Sequence, residues 1–250
     1  MNTNKKLIFR QLFEAESSTY TYLLGDEDSR EAIIIDSVLE TAERDLKLIN
    51  ELGLKLKYIL DTHIHADHVT GAGHLRTKTG AILCVSDDAH VECADLALDD
   101  GQEIKFGTFT LKAVSTPGHT SSCMTFLVED MAFTGDTLLI RGCGRTDFQS
   151  GSSPSLFQSV HSKIFTLPPS TRIFPAHDYK GFSMTTVGEE MSFNPRLKAD
   201  NTEDDFVKIM SELRLANPKK IDIAVPSNLQ CGKVIALESE SNLSDAKKTI

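Results

Sequence analysis

Apolar positions in the first third of the chain come in short runs. Residues 7–13 (LIFRQLF) and 18–26 (STYTYLLGD) read as strands, and 32–36 (AIIID) is a continuous apolar segment suited to a strand buried on both faces. A change of period follows: from Thr41, a suitable N-cap, apolar side chains recur at Ala42, Leu46, Ile49 and Leu52, near the 3.6-residue helical repeat, until Gly53 stops the pattern. Residues 57–62 (KYILDT) predict another strand, and 68–78 a helix. Further strands are expected at 81–86, 109–116, 123–129 and 131–135, separated by Gly and Asp turns. Ser153 and Pro154 fit the cap and first position of a helix through 155–165, ended by Pro168 and Pro169. Residues 172–178 (RIFPAHD) add a last strand and loop. Thr202 with Asp205 resembles a capping box before a helix over 206–215. Strands mixed with helices, without strict βαβ alternation, predict a layered α/β (α+β) architecture rather than a simple Rossmann sheet.

No interdomain linker or internal repeat interrupts this pattern, so residues 1–232 are expected to form a single domain. Residues 233–250 are expected to be a flexible tail, since 236–250 (ALESESNLSDAKKTI) are polar and lack aromatics. With 250 residues, 40% of them hydrophobic, the chain can bury a substantial core. The formal net charge of -10 repels phosphate backbones and anionic lipid, so neither nucleic acid nor a membrane surface is an expected partner. No run approaches the roughly 18 apolar residues of a membrane span, and the N-terminal stretch has neither secretory nor transit-peptide character. A cytoplasmic location is therefore expected. Five cysteines (Cys84, Cys93, Cys123, Cys143, Cys231) at irregular spacing, with no CxxC pair, argue for reduced thiols rather than disulfides or a cysteine-bound zinc.

One stretch departs from ordinary strand and turn chemistry. DTHIHADHVTG, residues 61–71, places His63, His65, Asp67 and His68 just past a predicted strand, where the chain must turn. Three more ligand-type residues stand at later strand ends: His119 in STPGHTSS, Asp136 in FTGDTL and His177 in FPAHDY. A lone histidine of this kind is more often a satisfied core or surface residue. Seven imidazoles and carboxylates in matching contexts, however, point to zinc, iron or manganese. His74, His90 and His161 lack such company and read as surface or packing residues. Counting side chains alone favours two zincs: His63, His65 and His119 on one, Asp67, His68 and His177 on the other, and Asp136 bridging.

The order HxHxDH, GH, GD and AH resembles the signature of the metallo-β-lactamase fold, which implies an αββα sandwich with a metal site at one edge between two sheets. The segments FRQLFE, STYTYLLGD, LIRGCGRTDFQSG, HSKIFTLP, FPAHDYKGF, NPRL and AVPSNLQCG are similar to those of the persulfide dioxygenases, across about residues 7–232. One departure is Ser37, where proline would be expected. That resemblance implies one non-haem Fe(II) held by His63, His119 and Asp136, a facial triad with open positions. His65, Asp67, His68 and His177 would then orient the ligands or, in the alternative, hold a second metal. It further implies oxidation of glutathione persulfide with O2 and water to sulfite and glutathione in sulfide catabolism, by an enzyme that forms homodimers. The rival is a dinuclear zinc hydrolase of the glyoxalase II type, cleaving a hydroxyacylglutathione thioester. A glutathione handle carries carboxylates, for which Arg145, Arg196 and Tyr179 are the candidate substrate contacts; Lys180 stands beside them with a weaker claim. Cys143 is expected to be a packed thiol, and Cys231 is left open.

Overall fold

The structure is a computed structural model that describes residues 6–234. The predicted tail beyond 234 lies outside the described residues. β1 (Leu7–Glu14), β2 (Thr19–Asp26), β3 (Glu31–Ile35), β4 (Lys55–Leu60), β5 (Ile82–Ser86) and β6 (Leu96–Leu98) form one sheet in that order. β1, β2 and β3 pair antiparallel, whereas β3 through β6 run parallel. The second sheet contains β7 (Glu103–Phe106), β8 (Phe109–Ser115), β9 (Met124–Val128), β10 (Met131–Gly135), β11 (Arg172–Pro175) and β12 (Thr185–Thr186). Its pairings are antiparallel except for β10 with β11.

Alternation along the strands explains the layering. Tyr22, Leu24, Ile33 and Ile35 point inward against Phe106, Phe126, Phe133 and Phe174 of the other sheet. Their in-between neighbours Leu23 and Ile34 face outward, where α1 (Ala42–Glu51) and α2 (Ala72–Thr79) cover them through Ile49 and Leu75. On the far side Ala132 and Ile173 are covered by α3 (Ser153–Ser159) and α5 (Glu203–Glu212), through Leu156, Phe206 and Met210. Because helices lie on both outer faces, the central strands are buried twice over and read as unbroken apolar runs. The expected αββα sandwich is the observed one.

Several expectations are corrected. The helix predicted over 68–78 begins only at Ala72. The backbone before it is claimed by other elements: Leu39 N–H donates to Val69 O, and Gly71 N–H to Ser37 O. Thr41 does not cap α1 with its side chain, because its hydroxyl turns back to Val38 O inside a 3-10 turn, Leu39–Thr41. The cap of α3 is Ser152 rather than Ser153, and the helix predicted to reach 165 widens into a π turn at Val160–Ile164. The Thr202–Asp205 capping box is present at α5. β6, β7, β12, α4 (Val187–Phe193) and α6 (Ile221–Asn228) were not anticipated; the strands are short, and Pro226 inside α6 disguises its period. Finally, Cys93 and Cys231 are joined in a disulfide, contrary to the expectation of reduced thiols throughout. A separation of 138 residues leaves no spacing signal; the pair meets only because α6 returns to the first sheet. Cys84, Cys123 and Cys143 are free and buried.

Candidate metal centre

Four strands deliver the seven side chains from one edge of the sandwich. β4 ends at Leu60 and releases the loop carrying His63, His65, Asp67 and His68; β8, β10 and β11 end just before His119, Asp136 and His177. Sheet hydrogen bonding fixes each origin, and Met124 N–H to Thr62 O (2.8 Å) ties the first loop to the second sheet. Ligand-capable atoms of His63, His119 and Asp136 lie within 4.8 Å of one another. A second set, His65, Asp67, His68 and His177, satisfies the same distance. The division thus differs from the count-based one, which placed His65 with His63 and His119.

Hydrogen bonds determine what each ring can offer. Thr62 Oγ1 donates to Asp36 Oδ2 (2.9 Å), so it must accept from His63 Nδ1 (3.0 Å), leaving His63 Nε2 with its lone pair. His119 Nδ1 donates to the Arg145 carbonyl at 2.6 Å, which likewise frees its Nε2, 3.7 Å from Asp136 Oδ2. Burial, with the imidazoles of His65 and His119 nearby, holds His63 well below the ordinary histidine range and therefore neutral. Asp136 is opposed by burial, but His177, His119 and His63 keep its carboxyl far below its usual range. Two imidazoles and one carboxylate converge, each oriented by a neighbour, which is the donor set of a divalent transition metal.

The second set is differently disposed. His177 directs Nδ1 to Asp136 Oδ1 (2.6 Å) and Nε2 to Asp67 Oδ2 (3.0 Å), so both of its ring nitrogens face carboxylates. Burial would discharge it, yet Asp136 and Asp67 hold its pKa well above the ordinary value. It therefore behaves as a cationic bridge between two acids. His65 turns Nε2 to Asp36 (3.2 Å) and His68 turns Nδ1 to Asp67 (2.9 Å). The remaining nitrogens, His65 Nδ1 and His68 Nε2, are buried without a hydrogen-bond partner among the described residues.

A cavity of about 580 Å³ opens over His119, Asp136 and His177 and is lined by Cys143, Arg145, Tyr179, Lys180 and Arg196, among others. Arg145 is engaged on all sides: Nε and Nη2 grip Asp147, Nη1 donates to Ala216 O (2.8 Å), and the guanidinium lies over Phe148. It shapes the cavity wall and, through its carbonyl, orients His119. Arg196 keeps more freedom. Its Nη1 reaches Cys143 O at 3.2 Å, and it pairs with no carboxylate among the described residues. Tyr179 is 72% exposed and stacks on His177. Cys143 is a buried thiol, pushed by burial up to about 11, and packs near Met210 Sδ. Ser37 is buried, and its carbonyl accepts from Gly71 N–H at 2.8 Å. His74 pairs with Glu43 and His161 stacks on Phe157, away from the centre.

Sequence reading missed Asp36, Thr19 and Thr62. Asp36, at φ 53°, ends a strand that reads as simply apolar, and binds Thr62 N (2.7 Å) as well as His65. Thr19 Oγ1 lies 3.1 Å from His177 Nε2. Nothing in the order of residues marks either one, since each meets the site through a neighbouring strand.

The metallo-beta-lactamase superfamily model matches residues 16–177. The chain is 55% identical over 228 residues to the mitochondrial persulfide dioxygenase ETHE1 of Homo sapiens, covering 90% of this chain and 89% of the human one. A probable metallo-hydrolase of Burkholderia pseudomallei is 31% identical, with 89% and 92% covered. Among solved structures, that of ETHE1 from Myxococcus xanthus superposes with a TM-score of 0.88 at 48% identity, covering 90% of this chain and 99% of that one.

Proposed function

This chain belongs to the persulfide dioxygenase family of the metallo-β-lactamase superfamily, and on that premise we propose that it oxidises glutathione persulfide at a single ferrous ion. With O2 and water the products are sulfite, glutathione and two protons. His63, His119 and Asp136 would hold the metal. A ferrous ion there supplies open coordination positions and the accessible redox couple that dioxygen chemistry needs, which zinc lacks.

One observation carries the single-metal reading: His177, which a second ion would need, already spends both ring nitrogens on Asp136 and Asp67. Its positive charge fixes Asp136 Oδ1 and leaves Oδ2 to face His119. Thr62 and the Arg145 carbonyl hold the two imidazoles in the tautomer that presents Nε2 inward. Arg196 and Tyr179, which line the cavity with Lys180, would take a glutathione carboxylate. Arg145, locked by Asp147 and Ala216, keeps that wall rigid, so the persulfide end is presented in one orientation.

The unpartnered His65 Nδ1 and His68 Nε2 favour a second reading, a zinc pair and thioester hydrolysis. Elemental analysis of protein purified without added metal, paired with oxygen-electrode assays on glutathione persulfide, separates the two. About one iron per chain with oxygen uptake supports the oxidation. Two zincs per chain with cleavage of an acyl-glutathione thioester overturns it.

A further inference from the structure

α6 carries none of the seven ligand-type side chains, yet its last residue reaches the loop that carries four of them. Asn228 is 4% exposed, and its amide is used entirely on loop backbone. Nδ2 donates to the carbonyls of His65 and His68, at 2.9 Å each, while Oδ1 accepts the Thr70 N–H at 2.8 Å. The loop depends on this help, because between His63 and His68 no backbone group bonds another backbone group among the described residues. Close approach extends beyond the helix end. A Cβ on Gly73 would lie 2.2 Å from Cys231 O, and one on Gly232 would lie 2.3 Å from Thr70 O. At this same point the Cys93–Cys231 disulfide fastens the chain to the segment before β6.

We propose that Asn228 is the positioning residue of the metal loop and that the Cys93–Cys231 disulfide is the staple holding it in register. Reduction by a monothiol such as glutathione then loosens the centre. In that step the S–S bond breaks and both cysteines gain a proton. Two glutathione molecules together give up two electrons and two protons and become glutathione disulfide. The effect passes from Asn228 to the backbone of His65–Thr70, hence to Asp67, and through His177 to Asp136. The inference rests on the metal site of the proposed function, but on neither the identity of the metal nor the reaction.

Cobalt(II), followed by its visible absorption, is the probe for metal-free protein, alongside hydrogen exchange of the Thr70 amide. N228A should weaken cobalt binding by about 10-fold to 100-fold, alter the spectrum at saturation, and speed Thr70 exchange. Wild-type protein reduced with dithiothreitol and desalted under argon should shift the same way, as should C93S, on which the reductant should have no further effect. Unchanged affinity and spectrum in N228A overturn the positioning role, even if its thermal stability falls. Unchanged affinity and exchange after reduction overturn the staple. Should N228A fail to fold, reduced wild type and C93S decide, since both retain Asn228. Metal content and oxygen uptake play no part here, so failure of the persulfide reaction would leave these outcomes readable.

Discussion

Two glycines of the segment RGCGR separate a structural from a site-forming role with one substitution. Neither adopts a positive φ, so alanine is backbone-compatible at both. At Gly144 a Cβ would stand 2.6 Å from Asp136 O, 2.7 Å from His119 Nδ1 and 2.8 Å from His119 Cγ. At Gly142 the nearest atom, Leu139 Cβ, is 3.9 Å away, an ordinary contact. Restoring about 3.5 Å between non-bonded atoms requires the His119 ring to retreat by roughly 0.8 Å. Metal–ligand distances tolerate only about 0.2 Å. The same movement strains the 2.6 Å bond from His119 Nδ1 to Arg145 O. Gly144→Ala should therefore cost about 1–3 kcal/mol of stability as an overpacked site and weaken metal binding by roughly 10-fold to 100-fold. Gly142→Ala should stay within about 0.5 kcal/mol of wild type. Urea unfolding of the metal-free proteins and metal competition against a chromophoric chelator measure the two quantities. If Gly144→Ala binds metal as tightly as Gly142→Ala, the packing of Gly144 against His119 and Asp136 does not position them.

Three further outcomes follow from the site. Asp136→Ala should abolish stoichiometric metal binding, whereas His65→Ala should retain most of the metal but lose turnover, since His65 faces Asp36; equal metal loss in both would make His65 a ligand. Arg196→Ala should raise KM for the glutathione substrate about 10-fold or more, as expected for a lost charge-assisted hydrogen bond, with a smaller fall in kcat; an unchanged KM removes Arg196 from the substrate pocket. Burial raises Asp61 to about 7 in the fold, so the folded state holds this proton more tightly than the unfolded chain. Metal-free protein should therefore lose stability as pH rises from about 4 to about 7, by up to about 4 kcal/mol from this group, and no further above that. Asp61→Asn should flatten that slope in pH-dependent denaturation curves, and an unaltered slope would show that Asp61 ionises without cost.

The fastening of the C-terminal segment also bears on how the site is maintained. A loop rich in imidazoles and carboxylates has few backbone partners of its own, and here a distant helix supplies them through one amide. Loss of the segment around Asn228 would leave buried carbonyls at His65 and His68 unpaired, each costing about 1–3 kcal/mol. Substitutions far from the metal can therefore act on it.

Sequence alone determined the elements whose pattern is local. The unbroken apolar run of β3 marks a strand buried on both faces, and the Thr202–Asp205 box is a contact three residues long. The ligand-type side chains of the centre were also legible, because strand ends followed by His or Asp mark themselves. What the sequence left open was their partnership: whether His65 belongs with His63 or with Asp67 depends on Asp36, 29 residues earlier, turning the ring away. α6, Asn228 and the Cys93–Cys231 pair were invisible for the same reason. Periodicity reports which face a residue turns to its own element's neighbours, whereas tautomer, charge and ligand grouping are fixed by atoms that only the folded chain brings within hydrogen-bond distance.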